Sequence, residues 1–309
     1  DGLFYIDDLA TLTVTAGGGS IVNGDLTCNG TIYMNGGSLF TSAGFLMTTT
    51  GSLIIDDGQF ILHAPYTGTY ESIGGYVELN GGVFQVTYNG IQFGSASQFI
   101  FNGGDMRIGW SFRAVHPGTI QPGSGAVEFF GTGSPSIDME SSNYFHDLII
   151  NKEGTGTVYL AQPLTINNDL TIQDGTFNTF GHDLTVMGSI TIETAGKLNP
   201  YQGNIYVEGD WTNNNGPNGF VELNSLVSFI DFNSCFIRTD ETFHNLEVNK
   251  DNPSYNILYL DSAIMVTVEE NFSVMDGRMS MRDNATVHVM NDMYVNSDFD
   301  RELASGNER

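Results

Sequence analysis

The stretch LTINNDLTIQDGTFNTFGHDLTVMGSITI, from Leu164 to Ile192, says the same thing twice. Leu164-Thr-Ile166 and Leu170-Thr-Ile172 return 20 residues later as Leu184-Thr-Val186 and Ile190-Thr-Ile192. Each piece alternates apolar, polar, apolar, the period of a half-buried strand, and short polar or Gly-containing links separate them. A third version, Asn204-Ile-Tyr-Val-Glu-Gly-Asp-Trp-Thr212, follows, so that Ile166, Val186 and Val207 fall at steps of 20 and 21. A unit of two or three such strands cannot cover its own apolar face. Stacked end to end, the units bury a continuous core.

The pattern extends outward from this stretch. Asp169-Leu-Thr-Ile-Gln-Asp-Gly-Thr-Phe177 is echoed 102 positions on by Asn271-Phe-Ser-Val-Met-Asp-Gly-Arg-Met279, and Phe145-His-Asp-Leu-Ile-Ile-Asn-Lys152 returns 98 positions on as Phe243-His-Asn-Leu-Glu-Val-Asn-Lys250. In the first third, Asn23-Gly-Asp-Leu-Thr27 matches Asn167-Asn-Asp-Leu-Thr171, and Gly37, Gly58, Gly82 and Gly104 mark similar phrases at steps of 21, 24 and 22. One unit of about 21 residues was duplicated, then blocks of units were duplicated again. Gly30, Gly37, Gly58, Gly82, Gly104, Gly175 and Gly277 are the expected turn glycines, since Asn-Gly, Asp-Gly and Gly-Gly pairs supply positive φ at little cost.

This predicts an all-β chain, a parallel β-solenoid expected to be a right-handed β-helix, with roughly 14 rungs. It reads as one elongated solenoid over 1–309, with blocks at 1–124, 125–224 and 225–309, the last continuing into or capped by further sequence; the chain opens at Asp1 without Met, as a processed or excised segment would. The competing reading is an antiparallel sandwich or barrel, which turn signals every 8–12 residues would also suit. Such a fold has no reason to repeat its sequence at the length of a strand triplet.

Composition narrows the function classes. With 36 acidic against 10 basic residues the formal charge is −26, which repels phosphate backbones and anionic lipid. Nucleic acid and membrane insertion are therefore not expected, and no apolar run of about 18 residues exists to span a bilayer. The 38 Gly, 40% hydrophobic and 12% aromatic content belongs to a chain with a real core rather than an acidic tail. Two cysteines, Cys28 and Cys235, exclude a disulfide scaffold and a Cys-based zinc site. Lying about ten rungs apart, they are not expected to bridge, and Cys28 is expected to point inward.

No residue is singled out as catalytic, cofactor-binding or metal-ligating. Carboxylate pairs occur at Asp7-Asp8, Asp56-Asp57 and Glu269-Glu270, but strand neighbours point to opposite faces and no basic partner is close in sequence. Gly181-His-Asp183 lacks the second Gly of a polygalacturonase-like Gly-His-Gly. His146 and His244 were copied with their block, as parts of rung geometry would be, while His63, His116, His182 and His288 have no companions at metal-ligand spacing. Lys152 and Lys250, also copied, are expected in solvated turns. Trp110, Trp211 and the tyrosines would form stacks in the core or an outward sugar-binding strip. No cofactor is expected beyond loose calcium binding by acidic turns.

The phrases from Pro163 to Ile192 and from Phe145 to Leu160 resemble the β-helical, adhesin-like repeat regions of large secreted bacterial surface proteins, common in Bacteroidetes-type bacteria. The likeness covers 125–295 well and 10–110 loosely, and its motifs are packing signatures rather than chemistry. It implies an extracellular or cell-surface, non-enzymatic structural or adhesive segment. Open end rungs expose unpaired strand edges, so the expected partners are neighbouring domains that cap them or further copies in a filament or sheath, with surface glycans besides. A polysaccharide-binding or polysaccharide-cleaving β-helix, tailspike-like or pectin-lyase-like, is the second reading.

Overall fold

The computed structural model describes residues 3–65, 69–231, 233–251 and 256–296. It is a β-solenoid of about 13 turns with a spacing near 21 residues. The chain forms two compact units, Asp1–Gln162 and Pro163–Arg309. The pairings described for the two units are parallel, which rules out the antiparallel sandwich. Steps between partnered rungs range from 19 residues, Leu26 to Phe45, to 27, Asn249 to Asp276. Most insertions are absorbed in the turns, and a few within the strands, where the register shifts between Met34 and Ser38, between Ile172 and Asp174, and between Val248 and Asn249.

In the first unit the early turns run two faces together in one long strand, Thr31–Thr41 and then Ser52–Leu62, and the later turns carry three separate strands. Tyr76–Leu79, Val83–Val86 and Gly90–Phe93 are followed by Gln98–Phe101, Asp105–Ile108 and Phe112–Ala114. Each pairs with its counterpart one rung on. Alternation sends every second side chain inward, where Phe60 and Phe84 stack at 5.6 Å and Phe93 and Phe99 at 5.4 Å. The second unit builds its core from a ladder of Leu164, Leu184, Ile205, Val227, Leu246 and Phe272 in successive rungs, all buried. A second cluster there packs Trp211, Phe220 and Phe243 together. One 3-10 turn, Gly216–Asn218, interrupts the strands.

The glycine corners show why the sequence repeats as it does. Gly37, Gly58, Gly82 and Gly104 have φ of 69°, 91°, 67° and 76°. A Cβ at Gly58 would lie 2.5 Å from the Gly37 carbonyl oxygen, and one at Gly82 would lie 2.4 Å from that of Gly58. Each corner is thus fixed twice, by conformation and by the corner stacked beneath it. Gly30 differs from the expectation of a positive-φ turn. Its backbone lies outside the left-handed region, and it is held to glycine by close approach, a Cβ there falling 2.3 Å from the carbonyl oxygens of Asp7 and Ala10.

Candidate functional site

The main departure from the sequence reading is the pair of copied lysines. Neither lies in a solvated turn: both Lys152 and Lys250 are fully buried. Lys152 ends the strand Asp147–Lys152, whose inward positions are Leu148, Ile150 and Lys152 itself. In the second unit Leu246 and Val248 face inward from Asn245–Asn249, and Lys250 follows in the same phase. A lysine two residues beyond an inward aliphatic has to point inward as well.

Register shows that the two sites are built alike. Gly131 is the partner of Lys152, and Asp231 stands opposite Lys250, one step beyond the pair Ile230 and Asn249. A rung earlier, Gly109 follows Ile108, the partner of Phe129, and Glu208 follows Val207, the partner of Phe229. The ammonium groups use the same two carbonyls. Lys152 Nζ donates to Gly109 O at 3.2 Å and to Phe130 O. Lys250 Nζ donates to Glu208 O at 3.3 Å and Ile230 O at 2.8 Å, with a third bond to Asn233 O at 2.8 Å. Each lysine ties together the main chains of the two preceding rungs.

The side chains around them differ. Where the first unit has Gly109 and Gly131, the second has Glu208 and Asp231. Both turns keep a left-handed corner at the second position, with φ of 76° at Gly131 and 67° at Asp231. Burial lowers the Lys152 ammonium to about 8, against an upward pull from the adjacent Glu153 carboxylate. In the second unit burial, then the neighbouring Asp231 carboxylate, raise Glu208 to about 7, while Lys250 pulls it back down. Glu208 Oε1 and Asp231 Oδ1 are buried with no hydrogen-bond donor assigned, and a proton shared between the two carboxyls would satisfy both. Cys235 completes the cluster. Burial holds its thiol near 11 even with the Lys250 ammonium beside it. It is therefore a protonated apolar group rather than a nucleophile.

A further buried carboxylate stands nearby in sequence. Glu241 Oε2 accepts from Trp211 Nε1 at 2.7 Å and Asn213 Nδ2 at 2.9 Å, and desolvation lifts the group to about 7 against those bonds. In the first unit Glu71 accepts from Phe45 N and Asn89 Nδ2 and is likewise raised by burial.

The remaining sequence candidates are spread apart. Asp56 accepts from Tyr33 Oη at 2.6 Å and Asn80 Nδ2 at 2.8 Å, Asp57 accepts from Gly58 N, and Asp7 from Asp8 N. Glu270 takes a bond from Asn291, and Glu269 lies 3.4 Å from His244 Nδ1. His146, the copy of His244, instead faces the adjacent Asp147 at 3.0 Å. His63 sits between Phe40 and Tyr88 on the outer wall, and His288 is exposed. Trp110 is half-buried over Gly133, whereas Trp211 is in the core. Cys28 is buried and unbridged, as expected, with its Sγ donating to Gly30 O. Cys235, whose side the sequence left open, is also buried and unbridged. Gly175 and Gly277 have φ of 77° and 85°, each with its N–H bonded to the preceding Asp at 2.7 Å. Among the described residues no group of three or more His, Cys, Asp or Glu is placed to hold a metal.

Comparison with family models, with curated proteins and with solved structures finds no match. The chemistry available is therefore read from the residues. An ammonium sealed behind rungs cannot meet a substrate, and its reach is spent on carbonyls. The arrangement serves as a charged tie inside the coil.

Proposed function

We propose that the chain is a non-enzymatic structural or adhesive segment of an extracellular bacterial surface protein. Assembly into filaments or a sheath is a variant of the same reading. The observation that carries it is where the reactive side chains go. Lys152, Lys250, Cys28, Cys235 and Glu241 lie inside the coil. Many outer polar groups are meanwhile engaged from rung to rung. Arg107 bonds Glu128 at 2.7 Å, Asn151 bonds Glu128 at 2.8 Å, Asn102 bonds Asn80 at 2.8 Å, and Arg238 and Arg282 share Asp261. Parallel ladders stapled inside by lysines and outside by such pairs resist shear between rungs, which is what a load-bearing spacer requires.

The second reading, a polysaccharide-cleaving β-helix, calls for an acid and a base held across one groove. The carboxylates of the outer wall, among them Asp7, Asp56, Asp57, Glu269 and Glu270, are instead dispersed and engaged by neighbouring groups, and the close pair Glu208 and Asp231 is enclosed with Lys250. Incubation with a panel of polysaccharides and a reducing-end assay tests the choice. No new reducing ends are expected, and sustained release from any polymer would replace the structural reading with an enzymatic one.

A further inference from the structure

One column of corners in the second unit is built against conformational preference. Asn178 is the partner of Asn199, so Phe180 stands one rung from Tyr201; the bridge between Leu198 and Phe220 places Leu223 one rung further. All three have left-handed backbones, with φ of 54°, 59° and 41°. In the first unit the stacked corners of this kind at Gly37, Gly58, Gly82 and Gly104 are filled with glycine. Here the chain carries two aromatics and a leucine, residues for which positive φ is an outlier.

These side chains do little for the core. Phe180, Tyr201 and Leu223 are 66%, 51% and 44% exposed. The first two corners are made the same way: Asn178 Oδ1 accepts from Phe180 N at 2.8 Å, and Asn199 Oδ1 from Tyr201 N at 2.9 Å. Their rings lie 6.4 Å apart with 25° between planes. Strain kept in successive rungs to hold apolar groups in water points to something that covers them.

We propose that this column binds a neutral polysaccharide, its sugar rings stacking on Phe180 and Tyr201. The proposal rests on the adhesive reading and gives it a surface. Aromatic rings take the C–H face of a pyranose, and equivalent residues repeated at the rung spacing suit a linear polymer. Charge selects a neutral one. The corner segments 178–183, 199–204 and 221–225 contain Asp183 and Glu222 but no Lys or Arg, so a polyanion would be repelled. They also carry Asn178, Asn199, Gln202 and Asn224, whose amides suit hydroxyl groups.

The test is affinity electrophoresis through gels containing hydroxyethyl cellulose, soluble starch or polygalacturonate, with wild type and Phe180→Asn/Tyr201→Asn. Asn accepts a left-handed backbone, so the double variant should melt no lower than wild type while its retardation falls at least about tenfold. Retardation in a neutral gel that the double variant loses supports the proposal. It is overturned by no retardation in either neutral gel, by undiminished retardation of the variant, or by equal retardation in polygalacturonate. A concentration-dependent dimer in light scattering that the variant abolishes would also overturn it, assigning the column to a second copy of the chain. Reducing ends released from the same polymers would refute the non-enzymatic reading; absent binding without release would refute this proposal alone.

Discussion

Lys152 and Lys250 descend from one duplicated position and make the same two main-chain bonds, yet one is surrounded by glycines and the other by Glu208, Asp231 and Cys235. The backbone role came first, because it is what both copies share. A lysine bonded only to carbonyls carries the full desolvation of its charge, and the first unit accepts a depressed ammonium. The second unit sets carboxylates beside the ammonium, where burial and the neighbouring Asp231 make Glu208 a weaker acid while Lys250 pulls it back. Burying carboxylates beside a buried ammonium adds desolvated groups along with the attraction between them.

The comparison breaks most visibly when the ammonium is removed. Lys250→Met leaves Glu208 and Asp231 enclosed without a cation, an uncompensated site that costs about 3–5 kcal/mol. Lys152→Met orphans the carbonyls of Gly109 and Phe130 but also relieves a desolvated charge, so about 1–3 kcal/mol is expected. Trp110 and Trp211, one in each unit, make the measurement separable. Urea denaturation followed by fluorescence in a Trp211→Phe background reads the first unit, and in Trp110→Phe the second. Equal losses would mean that the carboxylates do not sense the lysine.

pH separates the units next. Glu208 and Glu241 are raised from 4.5 to about 7, so the fold holds their protons more tightly than the unfolded chain does. Their contribution is full below about pH 4.5 and is lost as pH climbs through 7, on the order of 3 kcal/mol for Glu241. Lys152 runs the other way. Its ammonium is lowered from 10.5 to about 8, so the cost of burying it stands in full below pH 8 and is relieved between 8 and 10.5. Urea midpoints should therefore fall for the second unit from pH 4.5 to 7 and rise for the first from pH 8 to 10. Glu241→Gln should flatten part of the acid-side slope, and an unchanged slope would place the titration elsewhere.

What the sequence made legible follows from what repeats. Parallel stacking was readable because Ile166, Val186 and Val207 recur in phase with their flanking turns, and phase is all a ladder needs. The lysines were misread because a charged residue at a strand end was assigned to water on its chemistry. Its parity with Leu148 and Ile150, or with Leu246 and Val248, already pointed inward. Asp231 was harder to find, since it occupies a left-handed corner where the other copy has Gly131, and nothing local marks it as a partner of Lys250. The Phe180 and Tyr201 column was hidden because aromatic residues are ordinarily counted toward the core.

The Asp-Gly corners sharpen the comparison at smaller scale. Gly175→Val and Gly277→Val each force a β-branched residue into the left-handed region, at about 1–3 kcal/mol. At Gly277 the added Cβ would also fall 2.8 Å from Lys250 Cβ. If the contact matters, Gly277→Val and Lys250→Met should be non-additive in a double-mutant cycle. Strict additivity would separate the corner from the lysine beside it.

The smallest expected effect concerns the thiol in the lysine cluster. Cys235 lies 98 positions after Ile137, the same offset that separates Lys152 from Lys250, and both are buried at an inward position of their strands. One copy therefore already works with a plain aliphatic there. The Cys235 thiol is held near 11 by burial, so it is neutral at any physiological pH and offers Lys250 no charge. Cys235→Val should accordingly cost less than about 1.5 kcal/mol, the range of a volume-conserving apolar exchange. Lys250→Met should keep its larger penalty in that background. If Cys235→Val instead matched the loss seen on removing Lys250, the sulfur would be a true ligand of the ammonium. The second unit's site would then be a three-way charge cluster rather than a copied tie with two carboxylates added.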